Sequence, residues 1–98
     1  MNDTSPDERL RAKLLIIGHV QGVGYRAFTR HAASRRGLVG GVKNLDDGRV
    51  EAEVEGLKSV IEAMISELKV GPPGARVRQV QVEWAPTSGR FTDFQIWF

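Results

Sequence analysis

Residues 50–68 read VEAEVEGLKSVIEAMISEL, and the change of period inside this stretch decides the fold. Val50, Ala52 and Val54 alternate with Glu51, Glu53 and Glu55, so an extended chain here has one apolar and one charged face. From Leu57 the repeat lengthens. Leu57, Val60, Ile61, Met64, Ile65 and Leu68 fall at i, i+3, i+4, i+7, i+8 and i+11, the stripe of an amphipathic helix. A strand therefore runs straight into a helix, each with a single face to bury. The three glutamates read as a solvated edge or surface, and Met64 as core.

Working outward, Asp46-Asp47-Gly48 makes the turn before that strand, and Leu38 to Leu45 reads as its partner, weakened by Gly40 and Gly41. Further upstream, Lys13 to Ile17 holds the continuous apolar run of a central strand. A helix follows from about Tyr25 to Arg36, with Tyr25, Phe28 and Ala32 on one face and Gly37 as its stop. Downstream, Gly71-Pro72-Pro73-Gly74 is a loop, and Val80, Val82 and Trp84 alternate in a strand. Thr87-Ser88-Gly89 turns the chain before Phe94, Ile96 and Phe98 alternate in turn. The order is β-α-β-β-α-β. It predicts a ferredoxin-like α+β fold: an antiparallel sheet, two helices on one face and a short extra C-terminal strand. Residues 1–11, polar and carrying Pro6, are expected to form a flexible tail, and residues 12–98 the domain.

Composition narrows the chemistry. Ninety-eight residues suit one domain with a modest core. The absence of cysteine removes thiolate nucleophiles and cysteine-bound metals, and it suits a reducing cytoplasm. A net charge of +2 does not make a nucleic-acid surface, and no apolar run approaches the ~20 residues of a membrane span. A monomer is the default. His19 and His31 read as solvent-facing or structural, Asp46 and Asp47 as turn residues rather than Mg²⁺ ligands. Arg35, Arg36, Arg76 and Arg78 read as surface charge. Trp84 and Trp97 either pack at the sheet's margins or line one side of a cleft. No metal or cofactor is expected.

The segment richest in chemistry is GHVQGVGYR, residues 18–26, between a predicted strand and a predicted helix. Backbone N–H groups left unpaired there, glycines that let the chain curl and a helix N-terminus together suit an anion. Arg26 adds a planar fork of donors for two phosphate oxygens. A tight strand-to-helix connection with a surface arginine fits these features equally well. The loop lacks the Gly-Lys-Ser/Thr ending of a Walker A motif and the spacing of a dinucleotide site.

GHVQGVGYR closely resembles the acylphosphatase signature G-x-V-Q-G-V-x-(Phe/Tyr)-R. Residues 40–56, GGVKNLDDGRVEAEVEG, resemble the family's second signature, and residues 71–77, GPPGARV, a common join in it. The likeness runs from about Lys13 to Phe98. It implies an enzyme that hydrolyses acyl phosphates to carboxylate and inorganic phosphate without metal or covalent intermediate. Arg26 and Asn44 would be the catalytic pair. Backbone amides of Gln21, Gly22, Val23, Gly24 and Tyr25 would join Arg26 in holding phosphate, and Asn44 would place the attacking water. Gly41 departs from the pattern, which usually has an aromatic there, and is expected to loosen the second strand. Two other readings stand beside this one. A binding module would keep the anion loop without turnover, as in the acylphosphatase-like domain of a larger carbamoyl-transfer maturation protein. An RNA-binding module shares the βαββαβ order, but Arg49 to Glu55 lacks its exposed aromatics. A metallochaperone of this fold would need cysteines.

Overall fold

The computed structural model describes residues 7–98. Its elements are β1 (Arg9–His19), α1 (Tyr25–Ser34), β2 (Val39–Asn44), β3 (Val50–Leu57), α2 (Lys58–Val70), β4 (Arg76–Ala85) and β5 (Phe94–Ile96). The sheet order is β4-β1-β3-β2-β5. The pairs β1/β3, β1/β4 and β2/β3 are antiparallel, as the ferredoxin-like reading requires. β5 pairs with β2 in parallel, which makes the sheet mixed.

The two periods of the opening stretch meet in one core. Val50, Ala52 and Val54 of β3 lie beside Ala12, Leu14 and Ile16 of β1, all buried under Ile61, Met64, Ile65 and Leu68 of α2 and Tyr25, Ala32 and Ala33 of α1. Burial of such side chains stabilises by about 1.5–3 kcal/mol each, before the entropy of ordering is subtracted. Leu57 belongs to the strand instead of the helical stripe; its extended backbone (φ −68°, ψ 137°) ends β3 and caps α2.

Three expectations need correction. Residues 9–11 are strand, not tail: Arg9, Leu10 and Arg11 pair with Leu57, Gly56 and Glu55, because β3 offers a ladder along its whole length. The rest of the expected tail, residues 1–6, lies outside the described residues. Glu51, Glu53 and Glu55 are not an edge, since β3 lies between β1 and β2. Glu51 sits 3.4 Å from Lys13 and 3.7 Å from Lys43, and Glu53 accepts from Arg11 at 3.0 Å. Glu55 is buried. Its carboxylate accepts from Ser88 N at 2.8 Å, Gly89 N at 3.2 Å and the Ser88 hydroxyl, holding the β4–β5 connection. Arg35 and Arg36 are likewise more than surface charge, for both pair with Glu67 of α2, Arg36 at 2.7 Å.

Candidate functional site

The loop between β1 and α1 is tethered at both ends by buried side chains, Val20 and Tyr25. The Tyr25 hydroxyl donates to the Leu68 carbonyl at 2.7 Å, which ties the first residue of α1 to the last turn of α2. Burial pushes the Tyr25 pKa far above that of an ordinary phenol, so it serves as a permanent donor and not as an acid–base group. Between these anchors Gly22 and Gly24 have φ of 78° and 77°, a left-handed geometry that bends the chain into an amide-lined concavity. The N–H groups of residues 21–24 donate to no acceptor among the described residues. Gly24 precedes α1 without a side-chain cap, leaving the helix N-terminus available to an anion.

Beside the loop is a cavity of about 240 Å³. That is below the ~300–1,000 Å³ typical of pockets for drug-sized ligands and suits a small substrate. Gln21, Gly22, Gly24, Tyr25, Arg26 and Asn44 all border it. Val23 does not; its side chain packs against the core. Arg26, on the first turn of α1, makes no ion pair among the described residues, and its guanidinium lies 5.6 Å from the centroid of the Phe98 ring. Stacking of this kind leaves the in-plane N–H donors free. Asn44 comes from the end of β2 with its side-chain amide unbonded among the described residues.

A contact missed in the sequence joins the two halves. Gln21 Nε2 donates to the carbonyls of Leu45 at 2.8 Å and Arg49 at 3.0 Å, so the glycine loop is tied to the turn that follows Asn44. Within that turn Asp47 accepts from Arg49 N at 3.1 Å and Nε at 2.9 Å, as a turn residue does. His19 and His31 are exposed and neither borders the cavity. Ile96 and Phe98 were also missed as lining residues, and they bring apolar surface to it. No sequence signal marked them, since only the pairing of β5 with β2 brings them there.

Neither tryptophan lines the cavity. Trp84 is partly exposed beneath Lys58, and Trp97 lies over Gly41. A Cβ at Gly41 would stand 2.0 Å from Trp97 Cε2, so the indole occupies the volume that a side chain at position 41 would fill. The expected loosening at Gly41 is thereby corrected. The strand is buried there, filled by the residue that follows β5.

The acylphosphatase family model matches residues 12–96. An acylphosphatase from Anaeromyxobacter dehalogenans (strain 2CP-C) is 44% identical over 91 residues, covering 93% of this chain and 98% of its own. The crystal structure of acylphosphatase from Bacillus subtilis superposes with a TM-score of 0.88 at 35% identity, over 91% of this chain and 99% of that one. Full-length HypF in its phosphate- and nucleotide-bound form is also similar, with a TM-score of 0.80 and 32% identity. There, 94% of this chain matches 12% of the HypF chain.

Proposed function

The chain belongs to the acylphosphatase family, hydrolases of acid anhydrides, and we propose that it cleaves the carboxyl–phosphate bond of small acyl phosphates through Arg26 and Asn44. The observation that carries this reading is the meeting of Arg26, from the start of α1, and Asn44, from the end of β2, at the cavity beside the glycine loop. Arg26 and the amides of residues 21–25 hold the phosphoryl oxygens. Asn44 holds water in line with the scissile bond.

The chemistry asks for little more. The leaving group is a carboxylate whose conjugate acid has a pKa of roughly 4, so it departs without a general acid. A loose phosphoryl-transfer transition state needs charge stabilisation and alignment. Asparagine is no base; it orients the water, and a phosphoryl oxygen takes the proton. No metal or covalent intermediate enters this scheme. In the same reading the protein works as a cytoplasmic monomer.

Hydrolysis of benzoyl phosphate and acetyl phosphate, in EDTA and without added metal, tests the assignment. Arg26→Ala is expected to lose at least about a hundredfold in kcat/KM, together with inhibition by inorganic phosphate. Arg26→Lys rescues poorly because it lacks the planar fork. Asn44→Ala lowers kcat by a similar factor while phosphate still inhibits. Full activity in Asn44→Ala would overturn the water-positioning role. The likeness to a short part of HypF favours a second reading, a phosphate-binding module, which holds if the wild type binds phosphate and hydrolyses neither substrate.

A further inference from the structure

We infer that Trp97 is a positioning residue for Asn44, acting through the gap left by Gly41; its catalytic consequence rests on the function proposed above. β5 is only three residues long, and its pairing with β2 covers Gly40, Gly41 and Val42. β3 holds the other side of β2, up to the pair Asn44–Val50. Without β5, β2 would be an edge strand carrying the water-positioning residue at its end. One bond extends the β5 ladder beyond its last strand residue: Trp97 N donates to the Val42 carbonyl at 2.7 Å. That carbonyl stands two residues before Asn44.

What fixes this bond is the indole. Along an extended chain side chains alternate, so Trp97 turns to the face opposite Ile96 and Phe98. There it fills the space above Gly41, where a Cβ would come within 2.0–2.4 Å of three indole carbons, and it packs against Phe91 with ring centroids 5.7 Å apart. A glycine in β2 and the tryptophan that follows β5 thus make one filled position. The indole has no other visible role at the cavity, which it does not border. Its effect reaches the site through the backbone of Val42 to Asn44.

Three variants test this: Trp97→Ala, Trp97→Phe, and the double variant Gly41→Phe with Trp97→Ala. The double variant supplies the aromatic ring from β2 instead of from the residue after β5. Trp97→Ala is expected to lower kcat for benzoyl phosphate about tenfold, a loss of alignment, with the inhibition constant of inorganic phosphate changed less than twofold. Trp97→Phe and the double variant recover at least half of the lost turnover. The Asn44 side-chain amide, followed by NMR, broadens or shifts in Trp97→Ala and returns in the double variant. Unchanged turnover and an unchanged Asn44 resonance in Trp97→Ala overturn the inference. So does a parallel loss of turnover and phosphate inhibition, which would mark general loosening. If the wild type hydrolyses no acyl phosphate, the proposed function fails on its own, and the Asn44 resonance still decides whether Trp97 positions it.

Discussion

The side-chain amide of Gln21 donates to two carbonyls, those of Leu45 and Arg49, on either side of one tight turn. A single residue of the glycine loop thereby ties it to the turn that follows Asn44. Both partners are acceptors, so the position needs a side chain with two N–H donors, which the amide supplies without charge. Gln21→Ala should lower kcat/KM for acetyl phosphate about tenfold, with about 1–2 kcal/mol lost in denaturant unfolding. Gln21→Glu should be the poorer enzyme of the two at neutral pH, since its carboxylate would face two carbonyl oxygens and the substrate's phosphate. Equal activity in the two variants would count against the donor role.

Between β2 and the residue that follows β5 there is no room for a side chain at position 41. A side chain at Gly41 would meet the rigid indole of Trp97, itself packed on Phe91, so the ring would have to shift. Gly41→Ala should cost about 1–3 kcal/mol by overpacking. In a Trp97→Ala background the same change should cost far less, since the obstructing ring is gone. Urea unfolding of the four proteins in this cycle gives the coupling directly. A coupling near zero would mean that the two residues do not share this space.

Across the whole molecule, the chain must pass from β4, at one edge of the sheet, to β5 at the other. The connection is fastened on the way by the buried Glu55 carboxylate, with Arg11 donating to the Pro86 carbonyl at 3.3 Å. Burial by itself raises the Glu55 pKa, but the donors from Ser88 and Gly89 and the Arg11 charge outweigh it and hold the group below the ordinary carboxylate value. A depressed folded-state pKa stabilises fully above the unfolded value of about 4.5 and is lost as pH falls through the folded one. Acid unfolding should therefore steepen below pH 4.5. Glu55→Gln should flatten that region while lowering stability at pH 7 by about 1–3 kcal/mol. An unaltered acid limb in Glu55→Gln would place the sensitivity elsewhere.

The sequence alone determined the element types, their order and the glycine loop between β1 and α1, because alternation, helical stripes and glycine spacing are local properties of the chain. It also singled out Arg26 and Asn44, through the resemblance of two short motifs. It could not show that they meet: that depends on α1 and β2 arriving at one end of the sheet. Gly41 looked like a defect because its filler, Trp97, lies far along the chain just after β5. Glu55 looked solvated because alternation gives a face but does not say what crosses it. Gln21 was visible as a loop residue, while the partners of its side chain belong to a distant turn. Such contacts join segments remote in sequence, so no local pattern encodes them, and only the packed sheet decides them.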